Sequence, residues 1–272
     1  MAGAAVGPLS HYRPFRQVAD TLSRRGFAVL RVDDRSVGCS GGGPLSDAST
    51  DIRAEDTRAT IGFLRGHDKV DGRRLGLLGI SEGATIAVMI GATDHALRGI
   101  VSMAGHAGPG WRVWKHQTRY LISLGEEMDR AKKTRWLAGE DPEVILEERV
   151  AEARAHVAAG EANPWWTFFF IYDPTAVAPN IVSPVLILHG ARDSNVPVAD
   201  ADRLAQAIRS GGNPDVTVRI FTDHNHLFLP DRHGGFRRYA ELLQRTNQIP
   251  EEVLTTIADW FSERMPVADQ AR

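Results

Sequence analysis

Ser81 stands at the centre of Gly79-Ile-Ser-Glu-Gly83, with the apolar run Leu75-Gly-Leu-Leu before it and the small-residue pattern Ala84-Thr-Ile-Ala-Val-Met-Ile90 after it. That order reads as strand, tight turn, helix, with a serine at the tip. The turn brings strand and helix so close that the residues two before and two after the serine must lack side chains. A hydroxyl held there points outward, and the amide of Glu82, at the start of the helix, can face a developing oxyanion. Serine is a poor nucleophile at neutral pH, so it needs a base, and the base needs an orienting carboxylate. Asp193 follows the apolar strand Val185–Leu188, in His189-Gly-Ala-Arg-Asp-Ser-Asn-Val-Pro197. The stretch Phe221-Thr-Asp-His-Asn-His-Leu-Phe228 follows the last strand and offers His224 and His226. The chain order Ser, Asp, His is that of an α/β-hydrolase.

Each of these residues has a plainer reading. Asp193 fits a turn or helix cap. His224 and His226 have the i, i+2 spacing of metal ligands, but no further ligand lies nearby at metal-site spacing. Asp223 is too close in sequence to the histidine loop to be the acid in this chain order. Cys39 has no base beside it to make it a nucleophile, and His106, Lys115 and Arg192 read as solvated or structural.

The elements that must position the serine, acid and base alternate between helix and strand. Apolar residues at helical spacing run through Tyr12–Arg25 (Phe15, Val18, Leu22), and Gly26 is the expected C-cap. Phe27–Asp33 reads as a parallel strand, and Ser49 as the N-cap of a helix from Asp51 to Leu64. Further strands are expected at Leu97–Met103, Pro184–Gly190 and Val216–Phe221, with helices over Ala199–Ile208 and Glu251–Arg264. This alternation predicts an α/β fold, a doubly wound, mostly parallel sheet covered on both faces. Cys39-Ser-Gly-Gly-Gly-Pro44 has neither the lysine of a phosphate loop nor the spacing of a dinucleotide fingerprint, and reads as a turn. Between about Gly108 and Ala176 the pattern becomes helical and amphipathic, and holds Trp111, Trp114, Trp136, Trp165 and Trp166. The expected domains are therefore a core over residues 1–107 and 177–272 and a helical cap over 108–176. Most of those tryptophans belong to the core of the cap, with one or two lining an acyl or aryl pocket.

The 272 residues are 43% hydrophobic, carry a formal charge of −2 and include one cysteine. That length suits one α/β domain with an insertion. The charge speaks against a nucleic-acid partner, and a single cysteine excludes an internal disulfide or a thiolate cluster. The start has no signal-peptide pattern and no apolar run reaches membrane-spanning length, so the expectation is a cytoplasmic protein with no membrane partner.

Several stretches together resemble bacterial α/β-hydrolase-fold serine esterases of the acylaminoacyl-peptidase-like and dienelactone-hydrolase-like branch. They are Tyr12-Arg-Pro-Phe, Arg24-Arg-Gly-Phe-Ala-Val-Leu-Arg-Val-Asp-Asp-Arg35, Val37-Gly-Cys-Ser-Gly41, Gly79–Gly83, Trp166 to Asp173-Pro174, Pro184–Pro197 and Asn225-His-Leu-Phe228. The resemblance runs from about Gly7 to Phe261. It implies a Ser81–His226–Asp193 triad and a helical cap, and it selects His226 over His224 because the family's histidine directly precedes Leu-Phe. It implies a small-molecule ester or thioester substrate; the tryptophan-rich cap adds an apolar part to that expectation, and no cofactor and no metal are expected. Ser36 and Cys39 depart from the family pattern without touching the triad. The larger departure is at the start: such proteins carry two or three strands before the first helix, and the last leads into the loop of the second oxyanion amide. Here Met1–Val6 alone precedes Gly7-Pro8, so N-terminal strands are expected to be missing, and Val6 is the candidate for the second amide. The expectation is a truncated start, with a minimal strand at Met1–Val6 or a rearranged sheet as alternatives. The expected activity is ester or thioester hydrolysis through an acyl-enzyme on Ser81. A peptidase acting on short acyl-peptides and a non-catalytic hydrolase-fold binding protein are the alternatives. A haloalkane or epoxide hydrolase would need a carboxylate at position 81.

Overall fold

A computed structural model describes residues 14–44, 47–246 and 248–266. The runs around Leu77, Ile100 and Ile187 are apolar on both sides of the pleat, so each strand they form needs cover on both faces. They become β1 (Gly76–Ile80), β2 (Gly99–Met103) and β3 (Val185–Gly190), joined by β4 (Val216–Phe221). Among the described residues the sheet has four strands in the order β1-β2-β3-β4, all parallel. Leu78 lies opposite Val101, and Val101 opposite Leu186.

Alternate side chains leave the sheet on opposite faces. Leu77, Ile100 and Ile187 pack on helices α2 (Thr50–Arg65), α3 (Glu82–Gly91) and α8 (Ala199–Ser210). Leu78, Val101, Leu186 and Leu188 pack on α1 (Pro14–Arg24) and α10 (Glu251–Arg264). The chain is thus doubly wound, with a separate core on each face. Gly26, at φ +85°, ends α1 in the left-handed conformation expected of a C-cap.

Between β2 and β3 come α4 (Gly110–Ser123), α5 (Arg130–Leu137), α6 (Pro142–Ala158) and α7 (Pro164–Ile171). Asp129, Asp141 and Asn163 cap the last three through side-chain oxygens, which satisfies backbone donors that a helix start leaves open. Helix α4 packs on α6 and α7, and α7 reaches α2. Trp136 packs on a small core of Ile122, Ile145 and Leu146, and the Arg154 guanidinium lies 4.4 Å from the Trp111 ring. A short helix, α9 (Tyr239–Arg245), precedes α10. Among the described residues, no helix is long and apolar enough to cross a membrane.

One expected element does not form. Phe27–Asp33 carries no strand pairing, although Phe27 and Val29 pack against the α1/α10 core. The reason lies beside it. A cavity of about 270 Å³, lined by Phe27–Leu30 on one side and Leu75–Leu78 on the other, separates this segment from β1. The pattern of a strand is present, but among the described residues the segment pairs with no strand and the outer edge of β1 has no partner strand.

Candidate active site

The serine turn is built as its glycines require. Ser81 has φ 55° and ψ −118°, a strained conformation for a residue with a side chain. A Cβ on Gly79 would lie 1.9 Å from the Gly83 carbonyl oxygen, so the strand and helix meet there backbone to backbone. The Ser81 amide donates to the Met103 carbonyl at 2.8 Å, extending the β1–β2 ladder to the tip of the turn. Helix α3 begins at Glu82, so its first amides have no partner within the helix and face the mouth of the site.

Asp193 occupies the turn after β3, and both readings of it from the sequence apply. Oδ1 accepts from the Asn195 and Val196 amides at 2.8 and 2.9 Å, the bonding of a turn residue. Oδ2 accepts from His226 Nδ1 at 2.8 Å. An ionised carboxylate only accepts, so Nδ1 carries a proton toward it. Burial pushes the Asp193 carboxyl up. The charge of His226, with hydrogen bonds from His189 and His226, outweighs this and holds it below the usual carboxylate value.

The loop that delivers His226 is held by Asn225, fully buried, whose side-chain oxygen accepts from the Leu227 and Leu229 amides at 2.9 and 3.2 Å. It crosses β3 at Gly190, where a Cβ would lie 2.3 Å from the His224 carbonyl oxygen. His224 points elsewhere: its Nε2 lies 3.3 Å from Glu252 on α10, and burial lowers its pKa. The Asp223 side chain is exposed, 3.9 Å from Arg192. Among the described residues, no group of three His, Cys, Asp or Glu side chains gathers as metal ligands.

Ser81 and His226 line one cavity of about 160 Å³, walled by Trp165, Trp166, Phe168, Phe169 and Tyr172. The structure therefore brings Ser81, His226 and Asp193 together at the carboxyl ends of the strands, although no hydrogen bond joins the Ser81 hydroxyl to the His226 ring. Such bonds are often loose without substrate. Val6 lies outside the described residues. Cys39 is exposed in its loop.

Two residues hold a place at the site that the sequence reading does not give them: His106, read there as solvated or structural, and His189. His106 is buried, lines the cavity, and places Nδ1 2.9 Å from the Gly108 carbonyl; burial keeps its pKa below the ordinary value. Its position just past β2 is the available signal, since ligands of open α/β sheets bind at the carboxyl ends of strands. His189 lies within β3, fully buried, with Nε2 3.1 Å from Asp193 Oδ2 and 3.2 Å from the Val196 carbonyl. Both neighbours are acceptors, so Nε2 carries the proton. No sequence pattern points to this second imidazole on Asp193.

The comparisons with known proteins agree with this architecture. The profile described as Hydrolase_4, serine aminopeptidase S33, matches residues 5–233, and the chain belongs to that family of α/β-fold hydrolases. Esterase EstD of Thermotoga maritima is 25% identical over 253 residues, which are 91% of this chain and 56% of that protein. Polyketide transferase ATR5 of Stachybotrys chlorohalonatus is 33% identical over 125 residues, 46% of this chain and 40% of that protein. The chain thus spans little more than half the length of EstD and less of ATR5. The structure of the Pyrococcus furiosus esterase Pf2001 covers 97% of this chain, with 80% of its own length matched, at a TM-score of 0.62 and 19% identity; at that identity the likeness is one of fold. The resemblance drawn from the sequence holds for family and fold.

Proposed function

We propose that the chain is a serine hydrolase that cleaves carboxylic esters or thioesters through an acyl-enzyme on Ser81. The observation that carries this reading is the buried His226–Asp193 pair opening onto the same cavity as a strained serine turn. In this mechanism His226 Nε2 takes the hydroxyl proton as Ser81 Oγ attacks the acyl carbonyl. Asp193 fixes the tautomer and stabilises the imidazolium that forms. The Glu82 amide bonds the oxyanion, and Val6 remains the candidate for a second donor. Collapse of the tetrahedral intermediate breaks the bond to the alcohol or thiol, which leaves with the proton from His226. Water, deprotonated by the same nitrogen, then attacks the acyl-enzyme and frees the acid. Residues 108–176 act as the cap, and the aromatic wall suits an apolar acyl group.

Aminopeptidase action, which the family's description raises and which differs from action on acyl-peptides, is less well supported. A free amino terminus would need an unpaired carboxylate in the cavity. Glu82 is the one acid among the lining residues, and Arg53 already neutralises it at 2.7 Å.

Covalent labelling by a fluorophosphonate probe tests the reading. The chain is expected to label, and Ser81→Ala to lose the label entirely. A folded wild-type chain that takes no label overturns the hydrolase reading in favour of a non-catalytic binding protein.

A further inference from the structure

The residue after the nucleophile contributes more than its amide. The Glu82 carboxylate collects donors from two distant elements. Its Oε1 accepts from Thr50 Oγ1 at 2.7 Å and from Trp165 Nε1 at 2.8 Å, and its Oε2 accepts from Arg53 Nη1 at 2.7 Å. Thr50 and Arg53 lie in the first turn of α2, and Trp165 lies in α7. An acid in the first turn of a helix needs no partner, since the helix dipole already favours it in solvent. Here the carboxylate is instead turned inward, with a side-chain exposure of 26%.

The indole N–H can only donate, so a half-buried tryptophan ring takes its orientation from whichever acceptor it finds. For Trp165 that acceptor is Glu82. The Trp165 ring stacks on Phe169 with centroids 5.4 Å apart and planes 2° apart, and Phe169 meets His106 edge-on at 5.6 Å. Trp165, Phe169 and His106 all line the cavity that holds Ser81 and His226. The position of one carboxylate is therefore transmitted through one hydrogen bond to the wall that limits the cavity.

We propose that Glu82 is a positioning residue for acyl selection: by holding the Trp165 indole it keeps the aromatic wall of α7 close to Ser81 and restricts the site to esters of short apolar acids. This rests on the acyl-enzyme reading above. When the hydrogen bond is lost, the ring is free to turn from the cavity and longer acyl chains enter.

The test measures kcat and KM on p-nitrophenyl esters from acetate to octanoate, for the wild type, Glu82→Ala, Glu82→Gln and Trp165→Phe. Wild type is expected to favour the short esters. Trp165→Phe removes the donor but leaves a smaller phenyl ring in the wall, so Glu82→Ala, which removes the acceptor and leaves the indole, is the variant that isolates the hydrogen bond. Both are expected to shift the ratio of kcat/KM toward octanoate by about tenfold or more, the discrimination that one methylene carries in an apolar pocket. In Glu82→Gln, Oε1 still accepts from Thr50 and Trp165, so the chain-length profile stays that of the wild type although the Arg53 pair is lost. A role confined to fold or charge would instead lower kcat/KM equally at every chain length, in Gln and Ala alike. That outcome overturns the proposal.

A second readout needs no turnover. The indole ¹H–¹⁵N signal of Trp165, assigned by its disappearance in Trp165→Phe, is expected to move in Glu82→Ala and to stay near its place in Glu82→Gln. A signal unmoved in Glu82→Ala overturns the contact whatever the kinetics. A signal that moves as expected, in a chain that neither hydrolyses esters nor takes the fluorophosphonate, overturns the hydrolase reading and the selection role with it, while the contact stands.

Discussion

The two halves of the site rest on unequal foundations. Asp193 and His226 follow β3 and β4, whose pairing runs over six residues from Val185–Val216 to Gly190–Phe221. Behind them His189 and Asn225 are fully buried. Ser81 follows β1, which among the described residues pairs along one edge and faces a cavity of about 270 Å³ on the other. Asp193 and His226 are thus held by burial and by hydrogen bonds from their own turn and to each other, whereas Ser81 is held mainly by its own turn and by β2. Strain at Ser81 is held locally, by glycine contacts of the turn itself. The half that depends on distant contacts is the half buried deepest.

The largest test of this contrast is Asp193→Asn. An amide at this position removes the charge that selects the His226 tautomer, and kcat is expected to fall by about 10⁴-fold with the fold intact. Ester turnover and circular dichroism together check this. A loss of only a few-fold would show that the acid half is less decisive than its burial suggests.

A pair of core truncations sharpens the comparison in stability. Leu186→Ala, in the paired centre of the sheet, is expected to cost about 2–5 kcal/mol. Leu30→Ala, beside the cavity on the unpaired segment, is expected to cost under about 1 kcal/mol, because few neighbours close around it. Urea unfolding measures both. Equal costs would mean that the Phe27–Asp33 segment is as well integrated as β3, and the contrast would fail.

A further test falls on His189. Removing its donor in His189→Leu is expected to cost about 1.5–3 kcal/mol, the range for a hydrogen bond to a charged group. The Asp193 carboxyl lies below its ordinary value in the folded state, so its contribution to stability is present above the unfolded value of 3.8 and is lost as pH falls through the folded value. Without His189 the folded value rises, and the pH at which urea-unfolding stability is lost on the acid side moves upward. His189→Gln, which can still donate an amide N–H, is expected to restore part of both. An acid-side stability midpoint unmoved in His189→Leu would show that His226 and the two backbone amides alone hold Asp193 down.

Most of the fold was legible because its signals are local. The β4 and α10 boundaries coincide with the expected ones, and β1 to β3 and α8 fall within a residue or two of them, since apolar runs and helical spacing are properties of short windows. The Phe27–Asp33 strand was misread for the same reason. A window reports the pattern of a strand, but ladder formation depends on whether a second backbone lies alongside. The site divides in the same way. Ser81 announces itself through glycines two residues away on each side, and Asp193 through its place after a strand. His189 carries no such mark, because its partnership with Asp193 exists only once the turn folds back over β3.

The sequence alone therefore determined the α/β alternation, the serine turn and the chain order of Ser81, Asp193 and His226, all of which follow from residue type and short-range spacing. Tertiary structure decided which histidine ring meets Asp193, turning His226 toward it and His224 toward Glu252 on α10. It also decided that the Glu82 carboxylate takes donors from α2 and α7 and that the edge of β1 finds no strand among the described residues. The physical reason is common to all three. Side-chain direction and edge pairing are settled between elements far apart in the chain, where only packing brings the groups together.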